Sequence, residues 1–467
     1  MRKAKNSNLM KWLKWGGLAL AAIVLILAIV PLFITLDDTI PRIEREISAR
    51  IMEPVRIGGL RAGGLPLPHI AVTGIAVGKT EDIKVGKVTV TPALLSLLGT
   101  TKVIRSIEIE NLVVTQQAID RIVALIPPAA KPGTPVEPPA LRVESILLTD
   151  AVLKLEKATF GPLDARLSLA GDGNLESASL TTADGKLRAH VKPEGSRYLI
   201  DASAKDWKLP VGAAILFDEL TVKGVATPKD ASFSEVRAKL YGGSVTGSLH
   251  LGWPKKGLQL KGTAAVSRVE IGSLLQAVGK PKSMSGKLNA RPEFSANAPA
   301  ADRIADFLRL DTPFDIQQGV LHGVDISKAA TSLISKDAGK GGETRFDKLS
   351  GHLAMDRGTR RLTQLNIASG SLSGDGQVTI SPKDALSGRI NATVKGVSVA
   401  TGAVPLNVAG TLDKPLIYPS GGTMAGAAAG TAVLGPGLGT AVGVRVGKFT
   451  EGLTEGLFGK KEEKKKK

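Results

Sequence analysis

Five histidines are the side chains best suited to metal or acid–base chemistry in this chain: His69, His190, His250, His322 and His352. A helical zinc pair needs two imidazoles four residues apart with a carboxylate beside them. Here no two histidines are closer than 30 residues. His69 follows a Pro-Leu-Pro turn, and His190 and His250 sit in strand-like segments. They read as side chains of polar strand faces. Cysteine is absent, which removes disulfides, thiolate nucleophiles and most structural zinc sites. There is no G-x-S-x-G elbow and no Walker-type loop. Gly171-Asp172-Gly173 and Gly374-Asp375-Gly376 read as hairpin turns. Asp and Glu are scattered along wet strand faces. No catalytic residue, metal ligand or cofactor is expected, and the chain does not read as an enzyme.

The elements that must position these side chains are strands. From Glu235 to Val266 the sequence EVRAKLYGGSVTGSLHLGWPKKGLQLKGTAAV reads as three of them. Val236, Ala238 and Leu240 alternate with Glu235, Arg237 and Lys239. Val245, Gly247, Leu249 and Leu251 alternate with Ser244, Thr246, Ser248 and His250. Leu258, Leu260, Gly262 and Ala264 alternate with Gln259, Lys261 and Thr263. Period-two alternation places every apolar side chain on one face. Gly242-Gly243 and the stretch 253–257 supply turns. The result is an antiparallel meander, wet on one face and apolar on the other.

Composition supports a thin sheet. Of 467 residues, 43% are hydrophobic but only 4% are aromatic, and 53 are Gly. Large rings usually fill compact enzyme cores, so aliphatic strands and tight turns suit this balance better. The net charge is +18, but its clusters are terminal. Arg2, Lys3, Lys5, Lys11 and Lys14 precede the first apolar run, and the tail from Arg445 is again basic. Nucleic-acid binding needs a basic face with interleaved aromatics. Basic clusters that flank apolar segments point instead to anionic lipid headgroups, so no nucleic-acid partner is expected.

Residues 16–36 carry no charge. As a helix of 21 residues they would span about 32 Å, enough for a hydrocarbon core of about 30 Å. Leu18, Ile23, Leu25, Leu27, Val30 and Phe33 would face the lipid. The run is longer than the apolar part of a cleaved signal, and no A-x-A site follows it. It therefore reads as an uncleaved anchor, with the basic amino terminus in the cytoplasm and the remainder exported. In a bacterium with two membranes this is a single-pass inner-membrane protein with its bulk in the periplasm. Arg42 to Met52 reads as an amphipathic helix with Ile43, Ile47 and Ile51 on one side. It would lie on the membrane leaflet or cap the following sheet.

Strand signals fill 55–114, with a phase slip at Gly86-Lys87 as at a bulge. Thr91 to Gly99 has the punctuation of a two-turn helix, and Gln117 to Ile126 reads as another. Residues 127–140 hold six prolines and form an exposed loop or a linker. Short strands resume from 141 to 408, interrupted by helical patterns at Ile271 to Val278, Ala301 to Leu310 and Ile326 to Ile334. Two pairs of segments echo one another: 240–251 with 369–380, and 266–278 with 321–334. Such repetition suggests a sheet grown from similar units. In the charge-free stretch 415–444, Gly422, Gly426 and Gly430, then Gly435, Gly439 and Gly443, recur every fourth residue. Small residues at that spacing let helices approach closely in a membrane. A re-entrant hairpin, a kinked second span and a Gly/Ala linker all fit this pattern.

The apolar strand face must be covered. Exposing one aliphatic side chain costs about 1.5 to 3 kcal/mol, and some twenty strands would each show about three. That sum exceeds the about 5 to 15 kcal/mol net stability of a fold. The predicted helices are too few and too short to cover it. A β-sandwich and a trough holding lipid acyl chains both remain, and low aromatic content with abundant Gly and Ala leans towards the trough. The residues expected to line it are Val236, Leu240, Val245, Leu249, Leu251, Leu258, Leu260, Leu349, Leu353, Met355, Ile390 and Val394.

Three stretches carry a family resemblance. TPALLSLLGTTKVIRSIEIENLVV at 91–114 is a helical "LL" segment followed by a basic strand. AKLYGGSVTGSLHL at 238–251 is a Y-G-G strand-turn unit. PLNVAGTLDKPLIYPS at 405–420 is a "G-T-L-x-x-P" strand. Together with the basic segment, single anchor and long β-rich region, they resemble the AsmA family of bacterial envelope proteins. The resemblance implies kinship with chorein-like bridge proteins, whose β-grooves carry lipid. It also implies phospholipid movement towards the outer membrane, or a role in outer-membrane protein assembly without lipid transfer. No catalytic residue comes with it. The chain is short for the family, and the Gly-rich tail is not part of its pattern.

The expected organisation is therefore mainly β: a long, curved, taco-like antiparallel β-groove with a few short helices. Its parts are a basic segment and anchor (1–36), an amino-terminal β region (37–126), the Pro-rich stretch (127–140), a groove region (141–420) and a helical tail (421–467). Expected partners are phospholipid acyl chains, the inner membrane and a periplasmic or outer-membrane protein. At roughly 4.8 Å per strand, 20 to 28 strands would extend about 100–130 Å before twist, so self-assembly or a partner is expected if a periplasm is to be bridged.

Overall fold

Helix α1, Ile40–Ile51, shows why the amino-terminal region folds as it does. Pro41 fits a first helical turn, where its missing N–H costs nothing, and Met52 ends the helix in the left-handed conformation at φ 55°. Ile43 and Ile47 are 1% and 0% exposed. They pack with Val72, Val90, Ile107 and Val143 of the strands beneath. The Ser48 hydroxyl accepts the Val55 N–H at 2.9 Å and the Glu44 carboxylate accepts the Ile57 N–H at 2.7 Å. These bonds hold the following chain antiparallel to the helix. Of the two readings for this segment, the structure shows the sheet cap.

The computed structural model describes residues 40–421 except 64–67, 99, 119–140, 155–158, 211–212, 228, 255–256, 300, 333–336, 338 and 396–402. The expected anchor at 16–36 and the glycine series from Gly422 to Gly443 lie outside the described residues. Among the described residues no helix is long and apolar enough to cross a membrane. The strands form a mixed sheet of 23 members, and the chain divides into two compact units, Met1–Val236 and Arg237–Lys467.

In the first unit the strands are β1 (Val55–Arg56), β2 (Gly59–Gly63), β3 (His69–Val77), β4 (Ile83–Pro92), β5 (Lys102–Thr115), β6 (Leu141–Lys154), β7 (Thr159–Leu169), β8 (Leu175–Thr182), β9 (Leu187–Glu194), β10 (Arg197–Lys208) and β11 (Leu216–Ala226). β1 and β2 both pair with β3, and from there each strand pairs with the next. All of these pairs but one are antiparallel. β5 and β6 run parallel, from Lys102 opposite Leu141 to Thr115 opposite Lys154, which corrects the expectation of a purely antiparallel sheet. A hairpin cannot join parallel strands; a long connection can, and residues 116–140 supply the length. The helix predicted over Thr91 to Gly99 is a 3-10 turn, Leu94–Leu98.

β12 (Asp230–Leu240) contains the boundary between the units. The second unit continues with β13 (Gly243–Gly252), β14 (Leu258–Glu270), α2 (Ile271–Ala277), β15 (Met284–Ala290), β16 (Glu293–Ala298), β17 (Arg309–Val324), α3 (Ile326–Thr331), β18 (Lys340–Asp356), β19 (Thr359–Ala368), β20 (Leu372–Ile380), β21 (Leu386–Val394), β22 (Val404–Gly410) and β23 (Pro415–Pro419). β15 and β16 share one position in the sheet. Each pairs with β14 on one side and β17 on the other, and Arg291-Pro292 separates them. Proline cannot donate to a ladder, so the break falls there. The predicted helix from Ala301 to Leu310 is instead a 3-10 turn followed by the start of β17. The turn before β13 lies one residue earlier than expected, at Tyr241-Gly242, both in left-handed conformation. That pairing suits a two-residue hairpin turn.

Both strand-to-helix echoes are real structural repeats. β14 runs into α2 and β17 into α3, and an acidic residue caps each helix. Glu270 accepts the Gly272 N–H at 3.4 Å, and Asp325 accepts the Lys328 N–H at 2.8 Å.

A second device recurs along the long strands. Asn111, Asp150, Asp206, Arg268, Gln318 and Gln364 all lie inside strands at φ between 47° and 56°, and all are exposed. Each is the second of two polar residues between inward-facing ones: Ile109 and Leu112, Leu148 and Ala151, Ala204 and Trp207, Val266 and Val269, Ile316 and Gly319, Leu362 and Leu365. Register shifts accompany most of them. These are bulges, which bend a strand and raise its local twist. They also return the next apolar residue to the apolar face. Ile47→Ala should destabilise the first unit by about 3 kcal/mol, read as a lower denaturant midpoint in a probe confined to that unit.

Candidate functional site

The apolar face of the second unit can be traced strand by strand, because residues directly opposite each other share a face. Leu251 lies opposite Leu260, and Leu260 opposite Ala296. Leu249, Gly262, Phe294, Leu310 and Met355 make a second row. Val245, Val266, Ala290, Phe314 and Gly351 make a third. The fourth runs from Val269 through Leu288, Ile316, Leu349, Ile367, Gly374 and Ala392 to Val404.

These rows change character along the sheet. On β13, Val245, Leu249 and Leu251 are half-buried, while Ser244, Thr246, Ser248 and His250 are exposed. β14 repeats this: Leu258 and Leu260 are half-buried between exposed Gln259 and Lys261. Their face is shielded but not packed. At Gly262 the Phe294 ring fills the space that a side chain would take, since a Cβ there would meet the ring at 2.5 Å and the Ser248 carbonyl at 2.6 Å. Further along, the face is closed. Ile326, Ala329 and Ala330 of α3 are buried in a core with Ile316, Phe346, Leu349, Leu372, Leu406 and Ile417. β23 also returns against β17 and β18. A side chain on Gly339 would meet the Ile417 carbonyl at 2.6 Å and the Ala329 methyl at 2.7 Å. The expectation that the helices after residue 141 are too short to cover the sheet therefore fails at α3, while α1 is the sheet cap that its pattern allowed. Fewer than two turns suffice in α3, because β17–β23 supply the remaining walls of its core.

The first unit shows the same contrast. Its packed core joins α1 to β1–β6. On β9 and β10, Leu187, Ala189 and Val191, then Tyr198, Ile200 and Ala202, are half-buried and alternate with exposed neighbours, all polar except Leu199. Burial pushes the Tyr198 phenol pKa up, as expected of a hydroxyl beside an apolar face.

Of the residues predicted to line a groove, Val245, Leu249, Leu251, Leu258 and Leu260 form the adjacent half-buried rows on β13 and β14. Leu353 and Met355 are half-buried on β18 and continue that face. Val236 is half-buried, and Leu240 is 4% exposed. Leu349 is inside the packed core, and Ile390 and Val394 lie against it. Sequence reasoning missed Phe294 and Leu310, which the second row joins to Leu249. Their strands are short or begin in a segment with a helical pattern, so alternation alone gave no register.

One charged cluster interrupts the apolar rows. Arg360 lies opposite Met355 and pairs with Asp384. Lys280, after α2, reaches the same carboxylate at 2.8 Å across 104 residues of chain. The Lys280 hydrogen bond holds the Asp384 pKa below the ordinary carboxylate value, and Arg360 assists. His322 contacts Glu343 at 3.1 Å and His352 contacts Asp311 at 3.0 Å, while His190 and His250 are exposed. No group of three or more metal-ligating side chains gathers among the described residues. Gly374-Asp375-Gly376, read as a turn, is the middle of β20. Its two glycines face inward, and Gly376 would touch Ile390 if it carried a Cβ. Asp375 faces outward, in a shallow polar depression with Asn366, Gln377, Arg389 and Asn391.

The fold defines a mainly β protein whose sheet has one apolar face, packed under short helices in places and unpacked in others. Residues 219–365 match the AsmA family, the family that the sequence motifs resemble. The match contains the Y-G-G unit at 238–251; the stretches at 91–114 and 405–420 lie outside it. No curated protein and no solved structure matches the chain.

Asp384 has a folded pKa below its unfolded one, so its stabilisation is complete above the unfolded value of about 4 and is lost as pH falls through the folded value. Asp384→Asn should therefore lower the melting temperature at neutral pH and leave it nearly unchanged at roughly pH 2. Thermal melts of both proteins across that range check this.

Proposed function

We propose that this protein binds phospholipid acyl chains on the unpacked apolar face of its sheet and takes part in phospholipid transport towards the outer membrane. The observation that carries the reading is the pair of half-buried rows on β13 and β14: Val245, Leu249 and Leu251 beside Leu258 and Leu260. Each such side chain gains about 1.5 to 3 kcal/mol on full burial, and an acyl chain supplies that burial without specific polar contacts. The AsmA match covers these strands. The apolar run at 16–36, with five basic residues before it, supports an inner-membrane anchor with the amino terminus cytoplasmic and the bulk periplasmic. No reaction is assigned to the protein.

A photo-crosslinking side chain placed at Leu249 or Leu260 of the full-length protein in cells should capture phospholipid, identified by mass spectrometry. The double substitution Leu249→Asp, Leu260→Asp should abolish capture from a neighbouring position, Leu251, while the far-ultraviolet spectrum stays unchanged. Capture of protein alone, with lipid transport intact after deletion of the gene, would favour an assembly factor for outer-membrane proteins instead.

A further inference from the structure

One edge of the first unit gathers exposed leucines and basic residues. The end of β2, the start of β3, the 3-10 turn between β4 and β5, and the start of β6 lie there together. Gly63 is opposite His69, Ile70 opposite Val90, Pro92 opposite Ile104, and Lys102 opposite Leu141. At this edge Leu94 is 51% exposed and Leu95 is 88% exposed. The loop that presents them is built rather than slack. The Ala93 N–H donates to the Val103 carbonyl at 2.9 Å, and the Ser96 hydroxyl donates to the Ala93 carbonyl at 2.6 Å while accepting the Val103 N–H at 2.8 Å. Two leucines are thus held outward on a braced turn.

Basic residues cluster on the strands of this edge, while Glu44 and Glu46 alternate with Arg42 and Arg45 on the amino end of α1. Residues 59–73 and 88–107 contain no Asp or Glu but carry Arg61, Lys102 and Arg105. The start of β6 adds Arg142 and one acid, Glu144, and Asp172 stands in the β7–β8 turn. The opposite end of β3 and β4 carries mixed charge: its turn holds Lys79, Glu81 and Asp82, with Lys84 paired to Glu81 at 2.6 Å, and, among the described residues, a single exposed large apolar side chain, Met52, ends α1 near it.

The amino end of α1 points to the leucine-bearing edge. Ser48 binds Val55 and Glu44 binds Ile57, and the chain then runs on from Arg56, opposite Ala76, to Gly63, opposite His69. The helix therefore runs from the His69 end of β3 towards the Val77 end. The charge-free run 16–36 stops four residues before Ile40. Exposed leucines with a basic surround are the pattern that seats a surface in the headgroup layer of an anionic membrane.

We infer that this edge docks on the surface of the membrane that holds the 16–36 segment, with Leu94 and Leu95 inserted at the headgroup boundary. The inference rests on the membrane-anchored reading above. It sets the orientation of the first unit: β2–β5 stand end-on to the bilayer, with the Lys79–Asp82 turn farthest from it.

The absence of cysteine makes the test direct. Leu95→Cys and Lys79→Cys variants of the full-length protein are labelled with an environment-sensitive fluorophore. They are reconstituted into phosphatidylethanolamine–phosphatidylglycerol vesicles containing lipids spin-labelled near the headgroup. Several-fold stronger quenching at position 95 than at 79 is expected, and it should fall in vesicles of phosphatidylcholine alone. Equal quenching at both positions, with the protein floating with vesicles, overturns the docking and leaves the anchor standing. A blue-shifted but unquenched probe at 95 indicates contact with protein and also overturns it. Failure to float overturns both the anchor and the docking. Equal quenching at 95 in anionic and neutral vesicles overturns the electrostatic part.

Discussion

Most of the described strands have two faces of opposite character, and a sheet cannot leave the apolar one in water. Period two is the shortest repeat a backbone can carry, so each strand commits its apolar residues to one side at once. Val245, Leu249 and Leu251 share a side with Leu258 and Leu260 because the register of β13 and β14 allows nothing else. A one-residue slip would move every one of them into solvent. The rest of the structure consists of ways of covering that face, and of the places where it is not packed.

Two covers are visible. In the first unit α1 lays Ile43 and Ile47 over β1–β6. In the second, α3 places Ile326, Ala329 and Ala330 among β17–β23. Neither helix is long, and α3 is six residues. Such short elements serve because the strands bend around them. The bend comes from bulges at exposed polar residues in left-handed conformation, such as Arg268, Gln318 and Gln364. At each, two polar residues follow one inward residue, and the next apolar side chain turns inward again. A straight strand with the same composition would lose its alternation at that point.

Where no helix is laid down, the face stays half-buried. On β13 and β14 the side chains are aliphatic, with Gly247 and Gly262 between them, and Phe294 follows them in the row. Aliphatic surface with intermittent glycine makes a smooth, non-directional lining, suited to a chain of methylenes rather than to a ligand fixed by hydrogen bonds. The buried Thr312 hydroxyl opposite Leu353 is hydrogen-bonded, and the charged groups beside this face are the Lys280–Asp384–Arg360 cluster next to Met355. There the charges satisfy one another, which is the condition for charged groups beside apolar surface.

The alternation of 235–266 was legible in the sequence, and so were α1 and the two strand-to-helix repeats, because these are local patterns of one or two periods. The Y-G-G unit lay within the stretch that matches the AsmA family. Other features depended on contacts between segments far apart in the chain. The parallel pairing of β5 with β6 joins residues about forty apart, so no local pattern marks it. The division of the apolar residues into packed and unpacked also depended on such contacts. Leu349 and Leu249 have the same neighbours in sequence terms, apolar residues alternating with polar ones. Leu349 is buried because Ile316 and Ile367 flank it in a core that α3 helps to close; Leu249 is half-buried beside Gly262. Sequence alone determined which face each side chain takes, since that follows from the backbone period. Only the tertiary structure decided what lies above that face, since cover comes from segments brought back by bulges and turns.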